Sequence, residues 1–380
     1  MSRASVAGAP PAQGGASAPS LLANIQALRA AAALLVVFVH MKPLAELAGV
    51  PPGAMNFGNC GVDIFFVISG VIMVFTTERR ETRPWDFLAH RIARITPLYW
   101  LITLVVFLTA AVAPGLVHET RASLPDLVRS LLFVPYVRPD GLMEPVVFAG
   151  WTLNYEMGFY VVFALALFVR PRALALALCV AVIAAAAAWG AVAHTREPLL
   201  AFYSYPMVLE FAAGVVIGWV LPRLRFASWL VPLAAAGAVV SGAAALLGHA
   251  IFPDVDRAFV VGVPAAVLVA SALVLERAGW RVRSPVVLRL GDASYSIYLT
   301  HFFVAQAVAD AARVLGLHGP VAVILAGAVV LVGACVVGLN VFLFVETPLT
   351  RAARAVVRGR LASGRPVRVG GGAPARPEEA

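Results

Sequence analysis

Apolar residues run along this chain in long blocks, without the strict alternation of a strand or the narrow stripe of a soluble helix. Windows of about 20 apolar residues, the length that spans a bilayer as a helix, fall at about 22–41, 60–77, 96–113, 151–169, 173–193, 201–221, 228–248, 258–275, 294–314 and 321–344. The pattern predicts an all-α polytopic membrane bundle of about ten transmembrane helices. Both ends break it. Residues 1–20 and 356–380 are rich in Gly, Ala, Pro, Ser and Arg and lack the apolar content to pack, so they are expected to be disordered flanks of one membrane domain, 21–355. The longest connection, 114–150, is expected outside, folded into short helices over the spans.

Composition agrees with the pattern. Hydrophobic residues make up 61% of the chain and charged residues 13%, with a mean hydropathy of +0.88, whereas soluble domains carry about 25% charged residues. All 29 basic residues are arginine except Lys42. With a cytoplasmic N-terminus, the outer loops hold only Lys42, Arg121, Arg129, Arg138, Arg196, Arg257 and Arg313. The inner loops and the tail take nearly all the others, so the positive-inside bias predicts both termini in the cytoplasm and a multi-pass protein of the inner (plasma) membrane. The net charge of +9 then follows from topology and attraction to anionic lipid; no nucleic-acid partner is implied. Cys60, Cys179 and Cys335 lie in or at the ends of different apolar windows, without metal-ligand spacing, so no metal is expected.

Ionisable residues inside apolar windows are costly and by default functional candidates. Arg29 and His40 share the first window. Eleven residues at about 100° each make roughly three turns plus 20°, which puts both on one helix face about 16 Å apart. Asp63 in GVDIFFVISG and Glu156 in GWTLNYEMGFY are expected at the depth of His40. A histidine beside a carboxylate is the minimal apparatus of a general base; the plainer reading is three buried polar groups that tie helices together. Arg91 and Arg94, in HRIARITPLYW, share one side of a helix turn near the inner face. Guanidinium forks suit phosphate, although a topology signal looks the same. Glu210 and His301 lie deeper, with Tyr295 and Tyr298 on the approach; Tyr298 and His301 share a face and either line a polar passage or bond within the core. Glu346, before Pro348, is expected to be a structural partner for an arginine.

Arg29, ten residues, then His40; GVDIFFVISG; HRIARITPLYW; GWTLNYEMGFY; GDASYSIYLTHFF; and VETPLTR occur in this order over residues 22–355. The series resembles the acyltransferase-3 family of integral membrane acyltransferases, most of all its exopolysaccharide-production branch. The resemblance implies transfer of an acyl group, usually acetyl, from cytoplasmic acyl-coenzyme A to a hydroxyl of a glycan or glycolipid at the outer face. Arg29 and His40 correspond to the family's RX10H stripe, and Arg91 and Arg94 to its RxxR pair. On this reading Arg91 and Arg94 take the donor's phosphates, with Tyr295, Tyr298 and His301 along the donor path. His40, oriented by Asp63 or Glu156, deprotonates the acceptor or carries the acyl group, and Arg29 holds a carbonyl or an oxyanion. A transporter or flippase that uses the buried Arg, His and Glu as a proton relay is the alternative.

Overall fold

The computed structural model describes residues 22–51, 53–78, 82–116, 122–139, 141–193, 195 and 197–363. The flank expected at 1–20 and residues 364–380 lie outside them, as do Arg121 and Arg196 of the expected outer loops and Arg79 and Arg80 of the expected inner ones. Eleven helices of twelve or more residues form the body. They are α1 (Ala23–Val39), α2 (Cys60–Glu78), α3 (Pro84–Val112), α4 (Gly150–Ala166), α5 (Arg172–Ala193), α6 (Leu209–Val220), α7 (Leu230–Ile251), α8 (Val263–Arg277), α9 (Ser294–Val314), α10 (Pro320–Val341) and α11 (Thr347–Ser363). Strands are absent among the described residues.

Each of the ten apolar windows falls on helical structure, and among the described residues seven helical stretches are long and apolar enough to cross a membrane. The seven do not include α1, α4 and α9, which carry much of the candidate chemistry. Two of these have only 17 residues, and α9 is interrupted by Tyr295, Tyr298, His301, Gln306 and Asp310. Polar site residues lower the hydropathy of the helices that hold them.

The start of α1 is fixed from far along the chain. Its N-cap position, Leu22, offers no side-chain oxygen, and the first amide groups of a helix have no partner within it. Glu276 of α8 supplies one, accepting from the backbone N–H of Ala23 at 2.8 Å and of Asn24 at 2.9 Å. Asn24 in turn donates to the carbonyls of Ala272 and Trp280 and accepts from the N–H of Val282. On the other side α2 comes so close that a Cβ on Gly61 would stand 2.3 Å from the carbonyl oxygen of Ala32. Glycine is required there because any side chain would push the two backbones apart.

Below the last apolar stretch, α10 passes into α11 through one π-helical turn, Phe342–Glu346. Pro348 has no N–H for a regular turn, and a widened turn just before it accommodates the loss. The turn brings Glu346 against α3. The helix continues to Ser363, so the first residues of the flank expected from 356 are helical. The largest core is aromatic: Phe66 and Phe159 both stack on Phe211, with centroids 4.3 and 4.7 Å away, and Tyr155 stacks on Phe202 at 3.8 Å.

Candidate active site

A cavity of about 160 Å³ opens among α1, α2, α3, α4 and α9. Arg29, Arg91 and Arg94 line it together with Ser69, Thr152, Glu156, Tyr160, Tyr295 and Tyr298, over an apolar floor that includes Phe65, Phe66 and Met73. The fold thus gathers the RX10H arginine and both RxxR arginines in one chamber. Arg29 donates to Gln26 Oε1 at 3.1 Å, and Gln26 is held by Asp292. Arg94 pairs with Glu346, whose other oxygen accepts from Ser296 Oγ at 2.6 Å; its guanidinium also lies 5.5 Å from the centre of the Tyr295 ring. Glu346 is therefore the partner of an arginine, and that arginine is Arg94. Arg91 makes no ion pair among the described residues, and its buried Nε has no hydrogen-bond partner.

Tyr295 donates to the carbonyl of Ile95, and Tyr298 shares a 2.8 Å hydrogen bond with Thr152. The chamber ends at this Tyr298–Thr152 pair, and the histidines lie beyond it. His301 is fully buried, with its ring 5.9 Å from that of Tyr298. His40 Nδ1 stands 3.0 Å from His301 Nε2. The tautomers are assigned from the carbonyls that the rings face, with both rings taken as neutral. His301 Nδ1 is 2.7 Å from the carbonyl oxygen of Tyr298 and His40 Nδ1 is 2.8 Å from that of Val36. Carbonyls only accept, so both Nδ1 atoms carry protons. In that assignment the one His40 Nδ1–H is shared between the Val36 carbonyl and the lone pair of His301 Nε2, and His40 Nε2 is a second lone pair with no hydrogen-bond partner among the described residues. Phe148 covers the His40 ring edge-on at 5.0 Å.

The two carboxylates expected beside His40 are elsewhere. Asp63 is fully buried and held by Arg257 at 2.5 Å. Glu156 lines the chamber and accepts from Ser69 Oγ at 3.0 Å and from Tyr160. Neither hydrogen-bonds His40; position along the chain fixes depth in a bundle, but it leaves open which neighbour a side chain faces. Glu210 is buried on α6, beside the Asp63 carboxyl and against Gly262, and among the described residues no N–H or hydroxyl group donates to either of its oxygens. Sequence reasoning missed Gln26, Ser69, Tyr160 and Arg257. Two carried a signal: Gln26 lies three residues before Arg29 and Tyr160 four after Glu156, each on its neighbour's helix face.

The arrangement offers a cationic chamber and, roughly 16 Å of helical rise from Arg29, an imidazole pair in which His40 Nε2 has no hydrogen-bond partner among the described residues. Among the described residues there is no group of His, Cys, Asp and Glu that could hold a metal. A family model described as an acyltransferase domain matches residues 22–339. The chain is 38% identical over 306 residues to the exopolysaccharide production protein ExoZ of Rhizobium meliloti (strain 1021), an alignment that covers 79% of this chain and 92% of that protein. It is 30% identical over 320 residues to the acyltransferase MdmB of Streptomyces mycarofaciens, covering 75% and 79% of the two chains. No solved structure gives a significant match.

Proposed function

Since the chain belongs to the acyltransferase-3 family and is a multi-pass membrane acyltransferase, we propose that it moves an acyl group, acetyl in the simplest case, from cytoplasmic acyl-coenzyme A to a hydroxyl of an exopolysaccharide or other envelope glycan. The name of the ExoZ relative supports the acceptor class, and the excess of arginine on one side supports ten spans in the inner membrane with both termini in the cytoplasm. The observation that carries the reading is the join between an arginine-lined chamber and the His40–His301 pair.

In this mechanism the donor's phosphates sit toward Arg91, with Arg29 and Arg94 deeper in the chamber. The thin pantetheine arm passes Tyr298 and Thr152 and delivers the thioester to His40. His40 Nε2 takes the proton of the acceptor hydroxyl as its oxygen bonds to the thioester carbon. The C–S bond then breaks, and the departing thiolate receives the proton from His40, so ester and free coenzyme A leave with no net proton change. His301 acts through His40 and is a positioning residue: its Nε2 is a second restraint on the His40 ring, beside the Val36 carbonyl that holds the Nδ1 proton. Glu156, with Ser69 and Tyr160, is a polar wall of the donor path, and Asp63 with Arg257 a structural pair. Arg29 lies too far along α1 from His40 to neutralise an oxyanion there, which assigns it to the donor's anionic end.

The test is transfer of label from [14C]acetyl-coenzyme A to membrane glycan by the protein in proteoliposomes, with recovery of the label on mild alkali. Wild-type protein should give alkali-labile label and His40→Ala none. No transfer from acetyl-, succinyl- or longer acyl-coenzyme A by intact wild-type protein would remove the donor assignment.

A further inference from the structure

We propose that Arg354 of α11 joins Arg91 in a phosphate site for the nucleotide half of the donor, an inference that rests on the acyl-coenzyme A reading above. Helix α11 packs against α3, the helix that carries Arg91 and Arg94. Arg354 is half-buried in this contact, whereas Arg351 and Arg358 on either side of it are exposed. The charged groups that bear on Arg354 are Arg94, Arg91, Arg358 and Glu346: three cations and one carboxylate.

That carboxylate is already used. Glu346 holds Arg94 with one oxygen and Ser296 with the other. Arg91 and Arg354 therefore face each other's charge with no anion of their own among the described residues, and Arg91 also keeps a buried Nε without an acceptor. Like charges partly removed from water, with unused donors, are costly to hold. A bound polyanion reverses the sign of the interaction. Guanidinium forks match phosphate oxygens bidentately and stay charged at any working pH. Arg91 lines the chamber, so a phosphate between Arg91 and Arg354 belongs to a ligand whose remainder extends into it. The donor nucleotide, with a diphosphate and a ribose phosphate on a long thin arm, has that shape. An anionic lipid headgroup presents the same phosphate chemistry, but its acyl chains would turn toward the bilayer.

The experiment is a calorimetric titration of coenzyme A into the full-length protein in phosphatidylcholine nanodiscs, repeated in discs containing phosphatidylglycerol. Arg354→Gln should weaken coenzyme A binding about tenfold or more in neutral discs, the scale of one lost charge-assisted hydrogen bond. Arg354→Lys should fall between the two, because charge survives without the fork. Unfolding midpoints equal to wild type would keep the effect local. Wild-type affinity in a folded Arg354→Gln protein would overturn the proposal, and so would an effect seen only with phosphatidylglycerol, which would make Arg354 a lipid contact. Failure of the wild-type protein itself to bind coenzyme A would instead take down the donor reading, and this site with it.

Discussion

Replacing His301 by alanine tests the imidazole pair directly, because the structure limits what the change can do. His40 Nδ1–H loses the acceptor at 3.0 Å but keeps the Val36 carbonyl at 2.8 Å, so the tautomer survives while the ring loses one of two restraints. One neutral hydrogen bond contributes about 0.5–1.5 kcal/mol, which converts to roughly a two- to tenfold fall in kcat. Loss of the base itself, in His40→Ala, should cost on the order of 10²–10⁴. His301 does not line the chamber, so KM for the acyl donor should stay put. His301→Gln should recover part of the rate, because its amide can accept from His40 and donate to the Tyr298 carbonyl. The assay is steady-state transfer in proteoliposomes at matched protein abundance. A His301→Ala loss as large as that of His40→Ala would refute a positioning role and make His301 a base or an acyl carrier. A raised donor KM at unchanged kcat would place it on the donor path, and a His40→Ala protein with more than about a tenth of wild-type activity would remove the general base from His40.

Three further outcomes follow from the described contacts. Reporter fusions after Arg225 should read cytoplasmic and fusions after Arg129 periplasmic; the reverse would invert the donor side. Glu346→Ala strands Arg94 and should lower stability by about 3–5 kcal/mol, with partial recovery in the Arg94→Ala double variant, measured as the unfolding midpoint in detergent. Gly61→Val should reduce folded yield, since its Cβ would meet the Ala32 carbonyl at 2.3 Å, and normal yield would show that α1 and α2 can separate.

The sequence made some of this legible and hid the rest for identifiable reasons. Long apolar blocks locate helices well because lipid leaves few other backbone structures, and all ten windows fall on helical structure. Hydropathy could not see that α3 starts at Pro84 rather than near 96. Its first three turns carry Asp86, His90, Arg91 and Arg94, and α3 packs against α11, which basic composition disguised as a tail. The one-face geometry of Arg29 and His40 followed from helical arithmetic, and both do turn inward. What could not be read was the azimuth of one helix against another. Asp63 sits at a plausible depth for His40 yet faces Arg257, whereas His301, 261 residues from His40, faces the imidazole. No local spacing reports a pairing of that range.

The Glu276 cap on α1 sets an order of assembly. The helix that carries Arg29 and ends at His40 leaves the ribosome before α8, yet the carboxylate and carbonyls that fix its start belong to residues 272–280. Until those residues have been made and inserted, the first amide groups of α1 lack their carboxylate partner, and α1 is held by its packing against α2. Chains cut off before α8 would hold the RX10H residues in the bilayer but not in place. The active geometry is thus completed late in biogenesis, when α8 and α9 reach a helix made long before them.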